Sequence, residues 1–260
     1  MPKFCANLSM LFTEVDFTDR FASAARAGFS GVEYLFPYDL PAEDLAALLK
    51  ENRLIQVLHN LPAGDWEAGE RGVACIPGRE AEFREGVDRA IHYARILECD
   101  LLNCLVGKAP VGIEHTVVRT TLIENLRFAV QQLAENGIRL LIEPLNTFDI
   151  PGFALVHTRD ALDLMREVGH PNLFLQYDVY HMQMMEGNLT ATVLRNIDRI
   201  AHIQIADVPG RHEPGTGEIN FRNLFRSIDA AGYTGWIGCE YKPAATAEAG
   251  LGWLEEYSTR

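Results

Sequence analysis

The stretch WIGCEYKP at residues 236–243 ends an apolar run on a lone glutamate, Glu240, followed at once by a tyrosine, a lysine and a proline. An apolar run of this length, without polar alternation, reads as a strand buried on both faces. A carboxylate at the end of such a strand is costly unless it is paired or bound to a metal. The stretch RLLIEP at residues 139–144 repeats the pattern, with Glu143 in the matching place. Two glutamates closing two buried strands set the frame for the rest of the chain.

Outward from these two, short apolar runs at residues 4–8, 31–36, 54–59, 100–106, 173–178 and 200–207 join 139–143 and 235–240 as eight predicted strands. Helical periodicity fills the gaps at 17–27, 41–52, 80–97, 114–135, 158–168, 189–198, 221–231 and 247–257. Gly28, Gly137, Gly169 and Gly232 stand where helices stop, while Thr158 and Asn188 stand where they start. The pieces 60–78, 144–157 and 208–219 are irregular and carry Gly and Pro. Strict alternation means parallel strands joined by crossover helices. Eight such units in 260 residues, without a linker, predict an α/β protein of one domain over 1–260, a single (β/α)8 TIM barrel rather than an open doubly wound sheet. No G-x-G-x-x-G follows the first strand and no P-loop is present, which disfavours nucleotide-binding folds.

Composition narrows the function classes. The chain is 48% hydrophobic and 23% charged, with a formal net charge of -13. That balance argues against nucleic acid, whose phosphates require a basic face. No apolar run approaches the roughly 20 residues that cross a bilayer, and Asn7, Ser9 and Glu14 interrupt any signal-peptide core. The five cysteines are odd in number and lack C-x-x-C spacing, so the expectation is free thiols in a reducing cytoplasm. The oligomeric state is left open, a homo-oligomer among the options.

Barrel enzymes carry their chemistry at the C-terminal ends of the strands. One polar residue from each predicted strand end gives Asn7, Glu33, His59, Asn103, Glu143, Asp178, Gln204 and Glu240. Glu143, Asp178, Gln204 and Glu240 end four consecutive strands and offer three carboxylates and an amide oxygen, an all-oxygen set suited to a divalent metal, Mg2+ or Mn2+. Any one of them alone would pass as a strand-end salt bridge; four in register point to a metal. His181, three residues past Asp178, and His59 are candidate substrate contacts, whereas His202 reads as a core histidine. Arg211 and Lys242 are candidate cations for a substrate carboxylate. Glu70 and Arg71, in the long loop after the third strand, are candidates for a lid over the mouth.

Several segments together resemble one family: ANLSM at 6–10, IPGRE at 76–80, LIEPL at 141–145, QYDVYH at 176–181, HIQIA at 202–206, RHEPGTGE at 211–218 and GWIGCEYKP at 235–243. They are similar to the hydroxypyruvate isomerase family, which lies within the xylose-isomerase-like TIM barrels and includes a branch acting on 2-oxo-tetronate. The resemblance implies acid/base roles for Glu143 and Glu240 and metal ligation by Glu143, Asp178, Gln204 and Glu240. Related ketose 3-epimerases carry a histidine where Gln204 stands, which lowers that reading.

The expected chemistry is an isomerisation of a short hydroxy-oxo acid, hydroxypyruvate to 2-hydroxy-3-oxopropanoate, by metal-assisted proton transfer through an enediolate. A metal-assisted hydride shift is the competing mechanism. Two readings from other classes stand beside the isomerase: a metal-dependent hydrolase or endonuclease on the same scaffold, and a non-catalytic sugar-acid binding protein.

Overall fold

Phe221, Leu224, Phe225 and Ile228 recur at the spacing that puts them on one face of a helix, and all four are buried. Each contributes about 1.5–3 kcal/mol relative to exposure. The same logic builds the whole outer layer of the computed structural model, which describes residues 2–257. Its strands are β1 (Lys3–Asn7), β2 (Gly31–Glu33), β3 (Ile55–Asn60), β4 (Leu101–Cys104), β5 (Arg139–Ile142), β6 (Leu173–Asp178), β7 (Ile200–Ile205) and β8 (Trp236–Cys239). Its helices are α1 (Arg20–Arg26), α2 (Ala42–Asn52), α3 (Glu80–Ile96), α4 (His115–Glu135), α5 (Thr158–Val168), α6 (Val179–Met185), α7 (Leu189–Asn196) and α8 (Phe221–Ala230).

The strands pair in chain order, all parallel, and β8 returns to β1, so the sheet closes into a barrel. Closure leaves no sheet edge, which is why short apolar strands suffice. Side chains alternate between the barrel interior and the helix layer. Two residues before the inward-facing Asn7, Asn103 and Glu143 stand Cys5, Leu101 and Leu141, which pack with Phe174 in a small apolar cluster. The polar strand ends therefore rest on a greasy plug. All five cysteines are free and buried, and no helix among the described residues is long and apolar enough to cross a membrane.

Several local features differ from the sequence expectation. Residues 17–27 begin with a 3-10 turn, Phe17–Asp19, and the terminal segment Glu248–Tyr257 is 3-10 throughout. Helix α6 has no counterpart among the predicted helices: it starts directly at the end of β6, with Asp178 as its N-cap accepting from the Tyr180 amide. Finally, β3 extends to Asn60, one residue past its predicted end.

Candidate active site

Glu143 and Glu240 lie one residue past the ends of β5 and β8, and Asp178 is the last residue of β6. All three are nearly inaccessible, at 4%, 5% and 1% exposure. Glu143 Oε2 accepts from Asn103 Nδ2 at 3.0 Å and from Gln176 Nε2 at 2.8 Å. Glu240 Oε1 accepts from Asn7 Nδ2 at 3.2 Å and Gln204 Nε2 at 3.4 Å, and its Oε2 accepts from Arg211 Nη2 at 2.5 Å. The same guanidinium nitrogen lies 3.6 Å from Asp178 Oδ2. Arg211 thus stands between two of the carboxylates, with its face on the Tyr180 ring at 4.9 Å.

One arginine does not neutralise three buried acids. Burial, together with the charges of Glu240 and Asp178, holds the Glu143 carboxyl well above the usual range. Burial pushes Glu240 up to about 8, with Arg211 opposing. Burial also raises Asp178 against the pull of Arg211.

The loop that delivers Arg211 is held by Asp207, just past β7. Its carboxylate accepts from the backbone amides of Val208, Gly215, Gly217 and Ile219 at 2.8–3.0 Å. A Cβ at Gly217 would fall 2.1 Å from the Val208 carbonyl oxygen, so the GTG turn is sterically required there. Lys242 N–H donates to the Arg211 carbonyl at 2.8 Å and fixes the loop from the β8 side.

Beneath the carboxylates lies a second polar layer. Glu33 is fully buried and accepts at Oε1 from Asn7 Nδ2 (3.0 Å) and Gln204 Nε2 (2.8 Å), while its Oε2 is 2.6 Å from His202 Nε2. Burial alone would raise its pKa, but the facing His202 and these hydrogen bonds hold it below the usual value. Gln204 is the hub: its amide nitrogen bridges Glu33 and Glu240, and its oxygen accepts from Gln176 Nε2 at 2.6 Å.

The structure brings Glu143, Asp178, Gln204, Glu240, His181 and Arg211 together, and it leaves two expected residues outside. His59 faces the helix layer beside Tyr38, with ring centroids 6.1 Å apart, and neither ring nitrogen makes a hydrogen bond. Burial pushes its pKa down to about 3. The expected substrate contact there is corrected by register: Asn60 pairs with Asn103 and turns inward, where its Oδ1 accepts from Asn103 Nδ2 at 3.1 Å. A one-residue slip exchanges the two faces of a strand. Lys242 is exposed and does not line the cavity, and its backbone amide is what meets the Arg211 loop.

A cavity of about 110 Å³ is lined by Glu143, Gln176, His181, Arg211 and Glu240, with Asn60 and Trp66. Arg71 stacks on Trp66 at 3.8 Å and Glu70 pairs with Arg79, so the long loop after β3 reaches the cavity through Trp66 rather than through its charges. A larger groove of about 710 Å³ lies between α5 and α7 and contains none of the strand-end groups. Gln176 was readable in the sequence as two residues before Asp178, hence on the same strand face. Asn60 was hidden by the register slip.

Two triads among the described residues bring possible ligand atoms within 4.8 Å of one another: Glu143, Asp178 and His181, and Cys5, Glu33 and His202. The second is closed by hydrogen bonds from Asn7 and Gln204. In the first, Asp178 Oδ2 is buried and makes no hydrogen bond. A carboxylate oxygen without a hydrogen bond, with Arg211 Nη2 at 3.6 Å and His181 Nε2 at 3.5 Å, beside a second buried acid, is a donor set that fits a hard divalent cation.

The family profile described as Xylose isomerase-like TIM barrel matches residues 21–257. The chain belongs to that family. Within the xylose isomerase-like barrels it is 58% identical over 257 residues to a hydroxypyruvate isomerase of Escherichia coli (strain K12), covering 99% of this chain and all of the relative. It is 49% identical over 260 residues to a 2-oxo-tetronate isomerase of Cupriavidus necator, with both chains fully covered. A solved structure described as AP endonuclease, family 2, from Brucella melitensis superposes with a TM-score of 0.97 at 49% identity over the whole of both chains.

Proposed function

We propose that this barrel is an isomerase of a short hydroxy-oxo acid, converting hydroxypyruvate to 2-hydroxy-3-oxopropanoate through an enediolate. One observation carries the reading: Glu143 and Glu240, both with raised pKa, line one small cavity with Arg211. Its 110 Å³ is well under the roughly 300–1,000 Å³ of sites for drug-sized ligands, and it suits a short acid. The two isomerases similar over full length support the same chemistry.

The chain's own groups account for each proton. One glutamate takes the proton from C3 of hydroxypyruvate, and the C–H electron pair becomes the C2–C3 double bond of the enediolate. The other glutamate delivers a proton to C2, and the hydroxyl proton passes from O3 to O2, leaving an aldehyde at C3. A carboxylate with a pKa near 8 can hold and release a proton near neutral pH. Arg211, which lines the cavity, holds the substrate carboxylate with its guanidinium. Mg2+ or Mn2+, held by Glu143, Asp178 and Glu240, would supply positive charge to the oxygens that become negative. The Gln204 oxygen is turned to Gln176 Nε2, and the expected fourth donor would need its carboxamide reversed.

The net charge of -13 supports a small-molecule partner over nucleic acid, and five free thiols support a reducing, cytoplasmic setting. The 2-oxo-tetronate relative keeps a four-carbon acid as the second substrate reading. The test is an assay of the purified protein against hydroxypyruvate and 2-oxo-tetronates with Mg2+ and with Mn2+. Turnover of hydroxypyruvate or a 2-oxo-tetronate to its isomer is the expected result. Binding without conversion under either metal overturns the isomerase reading.

A further inference from the structure

Asn146, three residues beyond Glu143, is fully buried, and both polar atoms of its side chain are engaged. Its Oδ1 accepts from the backbone amides of Phe148 at 3.0 Å and Asp149 at 2.8 Å. Two backbone N–H groups on one atom settle which end of the carboxamide is oxygen. Nδ2 therefore points the other way, donating to Asp149 Oδ2 at 3.0 Å and lying 2.7 Å from His181 Nδ1. Asp149 is itself fixed by the Tyr180 hydroxyl at 2.9 Å. The backbone N–H of Asn146 also donates to His181 Nδ1, at 3.2 Å.

Amide nitrogens only donate, so a ring nitrogen facing two of them carries no proton. A neutral imidazole then holds its proton on Nε2. The ring is 2% exposed. Its Nε2 lies 3.5 Å from Asp178 Oδ2, and the residue lines the cavity.

We propose that Asn146 is a positioning residue that locks His181 in the Nε2–H tautomer, so the ring offers a substrate oxygen a hydrogen-bond donor and not a metal-ligating lone pair. Of the triad Glu143, Asp178 and His181, only the carboxylates are then ligands. A neutral N–H aimed at an oxygen that becomes negative stabilises the enediolate without first being drained by ionisation. The substrate half rests on the isomerase reading; the tautomer does not.

Two-bond 1H–15N correlation spectra of protein labelled with 15N-histidine read the tautomer directly, with His181 assigned from its loss in His181→Gln. The expected spectrum at neutral pH shows a bare Nδ1 and a protonated Nε2, unchanged when Mg2+ alone is added. A protonated Nδ1, or Mg2+ moving the proton off Nε2, overturns the proposal. Asn146→Asp keeps the acceptor for Phe148 and Asp149 but puts an oxygen where Nδ2 stood. The backbone N–H of residue 146 remains on Nδ1, so the Nδ1–H form should gain share at the expense of the Nε2–H form, and kcat should fall about 10-fold or more with a smaller change in KM. An unchanged tautomer in that variant removes Asn146 from the role. Should the variant fail to fold, the wild-type spectra with and without Mg2+ still decide. If the tautomer is as proposed but no hydroxy-oxo acid turns over, the isomerase reading fails and the positioning stands.

Discussion

Three buried carboxylates cannot all ionise around one guanidinium. In the metal-free site burial raises the pKa of Glu143, Asp178 and Glu240, and the one guanidinium of Arg211 pulls against all three. His59 presents the opposite case at the same scale: a buried polar ring, turned away from the cavity, that forms no hydrogen bond. An unpaired buried polar group is destabilising, so replacing it by an apolar side chain of similar size costs little. His59→Leu should leave kcat/KM within about twofold and Tm equal or higher, as measured by steady-state kinetics and thermal unfolding. A rise of KM by tenfold would return His59 to the substrate site.

Strands β2 and β8 are joined through the barrel interior by a close fit of Gly238 against Glu33. A Cβ at Gly238 would lie 2.4 Å from Glu33 Oε1. Gly238→Ala must displace a carboxylate that orients Asn7, Gln204 and His202, so it should cost about 1–3 kcal/mol of stability. Thermal unfolding should register this as a Tm lower by roughly 2–4 °C per kcal/mol, and activity should fall with it. Wild-type Tm and kcat together would remove the Glu33 layer from the account. The apolar runs made the strands legible and their order followed from alternation, yet the site was read unevenly. The four strand-end oxygen donors were visible because each interrupts a greasy run. Asn60 was not, because the strand was ended one residue early and the pleat inverted its face. Helix α6 was not, because its sequence VYHMQMM follows β6 with no turn residue, and its N-cap, Asp178, was already assigned to the strand and to the site. Asn146 lies in a loop, where no periodicity points a side chain anywhere.

Across the whole molecule, the shifted acids set the response to pH. In the metal-free protein the three carboxylates bind protons more tightly folded than unfolded. Stability therefore falls as pH rises from the ordinary carboxylate range towards about 8, and the loss is complete above the folded pKa. Glu33 works the other way: its depressed pKa contributes stability above the ordinary value that is lost as pH falls through it. With EDTA present, Tm should fall by roughly 5 °C or more between about pH 5.5 and 8.5. Mg2+ or Mn2+ should raise Tm much more at the upper pH than at the lower, because a cation competes with protons for the same oxygens. A Tm indifferent to both EDTA and divalent ions would contradict the metal assignment.

In the proposed reaction the glutamates ending β5 and β8 move the protons of the isomerisation. Burial raises the pKa of both carboxyls in the metal-free site, and Glu143→Gln and Glu240→Gln keep shape and hydrogen-bonding capacity, so both variants should fold as the wild type does by circular dichroism. The decisive measurement is kcat for hydroxypyruvate, with Mg2+, in the wild type and in each variant. The expected result is turnover by the wild type and a loss of at least about 10³-fold in each variant. A near wild-type kcat in either variant would contradict it.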